Sequence, residues 1–305
     1  MKKNITSTKP ADLSSNTGID WYGQSWVEKT FSHPENTVRI ATAFSGIGSP
    51  EMALQQLGVK HDIVFACDID KPAKNSYFAN YPITEDRWCD DINILDATKY
   101  KGQVDLFVAG VCCQPWSLTG KRKGLDDARG QLFYQFVRVI CECQPKVWIF
   151  ENVANILSHK TEVDGEKVLS WSILVHDMEA EFKKAGLHYR LHWRVLDASD
   201  YGVPQHRERV FCIGFLDETG EGKSDFLFPA PIKLEKSAID YLDDKTPGER
   251  WLTARERIRL MGFPDTFKQV VSNSQFSKQA GNSIVVDVMM ALYKQMDITK
   301  YGVAE

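Results

Sequence analysis

The sequence has no long hydrophobic run. Nothing in it approaches the roughly 18 consecutive apolar residues of a membrane span, and Met1-Lys2-Lys3 leads into Asn, Ser and Thr, not into a signal-peptide core. A cytoplasmic protein without a membrane partner is expected. Cysteine is sparse too: seven thiols in 305 residues, with no CxxC pair, make neither a disulfide framework nor a zinc-finger spacing, so reduced thiols and no metal are expected. Positive charge is not in excess either. The 37 Lys and Arg face 41 Asp and Glu, so any nucleic-acid partner must be argued from local charge. No internal repeat is present. What the chain does have is 43% hydrophobic residues, enough at this length to bury roughly 75% of the unfolded surface in one large core, with or without a small satellite domain.

Residues 1–36 are rich in Ser, Thr, Asn and Lys and lack a sustained apolar period, which reads as an N-terminal arm; Trp21, Tyr22 and Trp26 suggest that part of it docks. From Val38 onward short apolar runs alternate with helical patterns. The runs are Val38 to Phe44, Asp62 to Cys67, Val104 to Ala109, Lys146 to Phe150, Tyr189 to Leu196 and Val210 to Phe215. Trp171, Leu174, Val175, Met178 and Phe182 keep the i, i+3, i+4, i+7 spacing of an amphipathic helix. This alternation predicts an α/β fold with a doubly wound, mostly parallel sheet, whose ligands bind beyond the carboxyl ends of the strands. Residues 216–250 break the pattern with Gly220, Gly222, Pro229, Pro231 and Pro247, and carry nine acidic against five basic residues. Helices are expected from Thr253 to Met261 and from Ser283 to Met296.

Chemistry collects at the ends of the predicted strands. Phe44-Ser45-Gly46-Ile47-Gly48-Ser49-Pro50 is a glycine turn opening a helix, where backbone amides can approach a nucleotide-like cofactor; alone it is equally a tight strand-to-helix turn. Asp68 and Asp70 close the second run about 20 residues on, where a ribose diol would be held. A helix is expected from Lys71-Pro72, so Asp70 itself reads as a solvated or capping acid. Gly110 to Ser117 contains Cys112-Cys113-Gln114-Pro115, followed by a loop in which Lys121, Arg122, Lys123 and Arg129 outnumber Asp126 and Asp127. A buried, inert thiol is the bland reading of such a cysteine, but local positive charge favours thiolate and phosphate alike. Glu151-Asn152-Val153 ends another run, and Gln205-His206-Arg207-Glu208-Arg209 precedes the last one; each could be structural by itself.

Together, in this order, these segments and the late Gln279-Ala280-Gly281-Asn282-Ser283 resemble the cytosine-5 DNA methyltransferases. The resemblance covers about residues 38–215 and 251–296. It implies a sheet of the class I S-adenosylmethionine-dependent type with a reduced second domain. It also implies S-adenosylmethionine as cofactor, double-stranded DNA as partner, and transfer of a methyl group to cytosine C5. Cys113 matches the nucleophile, followed by Gln114, and Glu151, followed by Asn152, matches the carboxyl at the ring nitrogen N3. Arg207 and Arg209 match the pair that steadies the flipped base and its phosphates, with Gln205 beside them. For the cofactor, Phe44, Gly46, Ile47 and Gly48 match the turn, Asp68 the ribose carboxylate, Ile69 the wall against adenine, Asp91 with Ile92 the adenine edge, and Asn282 with Ser283 the closing motif. Ser117, Thr119, Lys121, Arg122 and Arg129 fall in the loop that closes over the target. The chemistry is coherent with these residue types. Attack at C6 turns an unreactive ring into an enamine that can accept a methyl group from a sulfonium, and a thiolate suits that attack. An acid at N3 then needs a raised pKa. A base inside a duplex has to be extruded first.

Two departures from the family pattern stand out. The residue before the nucleophile is usually proline and here is Cys112. The stretch where a target-recognition domain is usually inserted is short and acidic, which is poor for phosphate and base contacts. The expected organisation is an arm (1–36), a catalytic and cofactor-binding domain (37–215), a reduced recognition region (216–279) and a returning C-terminal helix (280–305). Weak sequence preference, or recognition supplied by a partner protein, follows. Arg255 and Arg259 share a helical face that reads either as a phosphate contact or as a solvated surface. The same chemistry on RNA, single-stranded DNA or a free nucleotide, and a catalytically silent binding subunit, stay open as alternatives. Only Cys113 abuts Gln114-Pro115. Cys113→Ala is therefore expected to abolish methyl transfer and spare cofactor binding, whereas Cys112→Ala keeps most activity; a dead Cys112→Ala variant would reverse the assignment.

Overall fold

The computed structural model describes residues 25–111, 131–163, 165–217, 226–244 and 250–304. Its centre is a seven-stranded sheet built from β1 (Val38–Ala43), β2 (His61–Cys67), β3 (Trp88–Cys89), β4 (Leu106–Gly110), β5 (Val147–Val153), β8 (Tyr189–Asp197) and β9 (Glu208–Leu216), in the order β3-β2-β1-β4-β5-β9-β8. The first five pair in parallel, while β9 runs antiparallel to both β5 and β8. The expected mostly parallel, doubly wound sheet is therefore present. Its central strands are nearly continuous in Val, Ile, Phe and Ala because both faces are covered, as parallel sheets require.

The helices are α1 (Ser49–Gln56), α2 (Lys71–Asn80), α3 (Leu132–Cys143), α4 (Ser170–Lys184), α5 (Ala254–Arg259), α6 (Asn273–Asn282) and α7 (Val286–Met296). α3 and α4 cover one face through Phe133, Phe136, Ile140, Trp171, Leu174 and Phe182, which pack with Phe107, Trp148 and Phe150. α1 and α7 cover the other, where Met52, Leu54, Val288, Met289 and Leu292 meet Ile40, Val108 and Ile149. Ile258, Met261, Phe263, Phe267 and Phe276 of the α5–α6 region belong to that same apolar cluster. Gly262, with φ +84, lets the chain turn against α7: a Cβ there would lie 2.2 Å from Asp287 Oδ2.

Two local features differ from expectation, and the docking of part of the arm agrees with it. Helix α6 stands where no helix was named, ahead of the C-terminal helix, which starts at Val286 and not at Ser283. Ser272 caps α6 by accepting a hydrogen bond from Gln275 N, and Phe276 and Ala280 are its buried residues at i, i+4 spacing. A small hairpin, β6 (Lys160–Val163) and β7 (Glu166–Leu169), stands between β5 and α4. Residues 25–36, assigned to the arm, are docked: Trp26 is buried, Lys29 Nζ donates to Gln295 O, and Asn36 Nδ2 donates to Thr299 O.

Between β9 and α5 the described segment 226–244 runs without strand or α-helix. It is tied down by Tyr201 OH donating to Pro229 O, Ile232 N to Asp200 O and Tyr241 OH to Gly202 O. Buried Glu256 closes it by accepting from the backbone amides of Asp243 and Thr253 and from the Arg250 guanidinium, which holds its carboxyl well below the usual range.

Candidate active site

Beyond the carboxyl ends of β1, β2, β4 and β5 lies a cavity of about 300 Å³, near the lower limit for small-molecule sites. The β1–α1 turn forms one wall. Phe44, Gly46 and Gly48 all have positive φ (54°, 55° and 77°), so the chain reverses sharply and a non-glycine residue is held in the left-handed region. Ser45 stitches the turn to β2: its amide donates to Cys67 O and its Oγ accepts from Cys67 N. Below the turn, Tyr81 OH donates to Gly48 O (2.6 Å). Its ring leaves no room for a side chain there, since a Cβ on Gly48 would sit 2.3 Å from Tyr81 Cε2. Gly48 thus shapes the turn, and it does not line the cavity.

Asp68 braces the same turn from β2. One carboxylate oxygen accepts from Gly46 N at 2.7 Å and the other from Asp70 N at 2.8 Å. Burial raises its pKa against those two amides. A carboxylate has about four acceptor positions, so two bonds leave capacity toward the cavity that Asp68 lines. Beside it Ile69 is 77% exposed on the cavity wall, a large apolar side chain in the position to cover a flat apolar ring. Asp70 pairs with Lys278 of α6, and Gln279 bridges α6 to α2 by accepting from Ser76 Oγ and donating to Pro72 O. Asn282, Ser283 and Ile284 complete that side.

The opposite wall holds Glu151. In the β4–β5 register Gly110 is paired with Glu151, so the strand that leads to Val111 and the two adjacent cysteines ends beside this carboxyl. Burial raises the Glu151 pKa, and the Arg209 and Arg207 guanidinium groups oppose it without cancelling it. Arg209 Nε lies 3.2 Å from Glu151 Oε1. Arg209 is paired with Val153 on β5, two residues from Glu151 and on the same face, which makes the contact a diagonal cross-strand one.

The placement of several residues differs from what the resemblance implied. Arg207 lines the cavity, yet its Nη2 donates to Gly281 O (3.0 Å) and Ser283 O (2.8 Å), so it clamps the closing turn. Asn152 does not face the cavity: it is buried and its Nδ2 donates to Val111 O, because side chains alternate along β5 and Glu151 takes the cavity side. Gln205 donates to Leu260 O and anchors the segment after α5. Asp91 and Ile92 also lie outside the cavity lining. The Asp91 carboxylate accepts from the Asn93 amide in its own turn, and Ile92 is buried in the core facing α3. Cys113, Gln114, Ser117, Thr119, Lys121, Arg122 and Arg129 fall outside the described residues. Each α5 arginine is bound internally: Arg255 to Phe267 O and over the Phe276 ring, Arg257 to Leu252 O, and Arg259 to Asp243 and Asp265. Among the described thiols, burial pushes Cys67, Cys143 and Cys212 strongly up and Cys141 up to about 11, which disfavours the thiolate a nucleophile needs. Two residues that brace the site, Tyr81 and Lys278, were missed by motif reading. Gln279 was visible as part of the late motif; Tyr81 and Lys278 had no local signal.

Over residues 38–251 and 238–297 the sequence matches the C-5 cytosine-specific DNA methylase family. The chain belongs to this family. It is 28% identical to the Type II methyltransferase M.SsoII of Shigella sonnei, over 95% of this chain and 87% of that protein. It is 34% identical to the orphan methyltransferase M.SPRI of Bacillus phage SPR, over 70% of this chain and 46% of that one. A prophage-encoded methyltransferase of E. coli superposes with a TM-score of 0.67 at 20% identity, covering 85% of this chain and 98% of that structure, which agrees in fold. The protein is therefore an S-adenosylmethionine-dependent DNA cytosine-5 methyltransferase. The cavity fits the cofactor: Asp68 has acceptor capacity for a ribose, and Ile69 has uncovered apolar surface for adenine. Arg207→Ala would strip the carbonyls of Gly281 and Ser283 of their donor. It is expected to weaken S-adenosylmethionine binding about tenfold, or about 1.4 kcal/mol, by calorimetry; unchanged affinity would show that the clamp is dispensable.

Proposed function

We propose that methyl transfer proceeds through a covalent bond between Cys113 Sγ and cytosine C6, with Glu151 as the acid at N3. The observation that carries this reading is the pairing of Gly110 with Glu151. Three residues beyond Gly110 the chain reaches Cys113, so the segment that carries the nucleophile leaves β4 beside a buried carboxyl whose pKa burial raises. As the thiolate adds to C6, electron density moves toward N3. Glu151 donates its proton there, and Arg209 balances the carboxylate that results. The cofactor supplies an electrophilic methyl group on sulfonium sulfur. Loss of the C5 proton to solvent, expulsion of the thiolate and return of the N3 proton to Glu151 then restore the ring and the acid.

Duplex DNA is the proposed substrate, taken by base extrusion, in the cytoplasm of a bacterium or a phage host. Relatives from Shigella sonnei and Bacillus phage SPR, a Type II and an orphan methyltransferase, support this setting. Sequence preference is proposed to be weak or supplied by a partner protein. The reduced recognition region, 216–279, supports that reading: the net-acidic stretch 216–250 lacks Asn and Gln and has a single arginine, which in the structure is bound to Glu256. Residues 37–215 with the returning helix would form the catalytic unit, and 1–36 the arm.

The test is mass spectrometry of nucleosides after incubation with S-adenosylmethionine and, in parallel, duplex DNA, single-stranded DNA, RNA and dCTP. 5-Methylcytosine in the duplex sample is expected, and Glu151→Gln should lower its formation by about 10²-fold or more. Product confined to another sample would replace the substrate assignment, and full activity of Glu151→Gln would remove Glu151 from the mechanism.

A further inference from the structure

His206 stands between Gln205 and Arg207, at a position the resemblance leaves without a role. Its side chain is 91% exposed, yet it is not free to swing: Nδ1 lies 3.1 Å from Asp197 Oδ2 and 3.4 Å from Ser199 Oγ. Asp197 is itself fixed, because Oδ1 accepts from Arg207 N (3.0 Å) and Ser199 N (3.1 Å). The carboxylate can only accept, so the imidazole proton sits on Nδ1 and Nε2 faces solvent. His206 opens onto a shallow recess of about 560 Å³ shared with Arg207 and Arg209, which also line the cavity that holds Glu151.

We propose that His206, oriented by Asp197, is a proton-linked contact to a backbone phosphate of the nucleic-acid substrate. The inference rests on the DNA reading above. A neutral imidazole in this tautomer offers the phosphate only a lone pair, whereas the imidazolium offers an Nε2–H donor and a positive charge. Phosphate binding at this point therefore requires a proton. The other charged groups facing His206 are Asp197 and Asp200 from the β8 end and the turn after it, and Arg207, Glu208 and Arg209 from the β9 start. The two arginines stay charged throughout and add an attraction that does not change with pH.

The discriminating quantity is the salt dependence of affinity, because each phosphate neutralised contributes about 0.9 to the slope of log K against log salt. Binding of wild-type protein to an unmodified duplex would be titrated by fluorescence anisotropy across a salt series at about pH 5.5 and about pH 8. The wild-type slope is expected to be steeper at the lower pH by close to one phosphate contact. His206→Gln should give the shallower slope at both pH values, and His206→Lys the steeper one at both. A wild-type slope independent of pH, or a pH difference kept by His206→Gln, would overturn the inference while leaving duplex binding intact. Absence of duplex binding at both pH values would overturn the DNA reading and this inference together.

Discussion

The site depends on one strand running the wrong way. β9 enters between β5 and β8 antiparallel to both, so its first residues, not its last, arrive at the carboxyl edge of the sheet. That reversal is what brings Arg209 within 3.2 Å of Glu151 and Arg207 to the turn at 281–283. Were β9 parallel, both guanidinium groups would emerge at the far edge and Glu151 would be buried without a counter-charge, an arrangement that costs several kcal/mol. The pair also sets the acid's character. Burial favours the protonated carboxyl, and the flanking arginines stabilise the anion once the proton has gone, which is the balance an acid catalyst needs.

The cavity wall formed by the β1–α1 turn is built on a different principle, in which backbone strain is held by surrounding packing. Phe44 in the left-handed region is unfavourable for a side-chain-bearing residue. It persists because Ser45 is stitched to Cys67, Gly46 N is held by Asp68, and Tyr81 fills the space under Gly48. Deeper still, Glu51 is fully buried, takes hydrogen bonds from Thr42 and Tyr77, and has its pKa raised by burial. This network joins β1, α1 and α2 under the turn. Asp68 thereby has two tasks, since the same carboxylate that braces Gly46 also faces the cavity.

Much of this was legible in the sequence. Strand–helix alternation gave the sheet, and the spacing from the glycine turn to Asp68 pointed to residues that line one cavity. Where reading failed, the cause was a long-range contact. Nothing near Arg207 indicates that its guanidinium is taken by carbonyls more than 70 residues away. The charged face of α5 looked available because Asp243, Asp265 and the Phe276 ring are not its local neighbours on the helix. Asp91 shows a shorter-range contact: its carboxylate accepts from Asn93 in its own turn, a competition that Asp and Asn side chains often win. Helix α6 was missed because its two buried apolar residues, Phe276 and Ala280, fall below what periodicity can detect.

The central claim is that a thiolate beside Glu151 adds to the base. It is tested most directly with duplex DNA carrying 5-fluorocytosine. Fluorine at C5 cannot leave as a cation in place of the proton, so the elimination that frees the enzyme stops once the methyl group has transferred. With S-adenosylmethionine present, intact-protein mass spectrometry should show a DNA-linked species carrying the transferred methyl group, and peptide mapping should place the bond on Cys113. A bond to Cys112, or methylation of ordinary cytosine with no trapped species on the fluorinated duplex, would contradict the account.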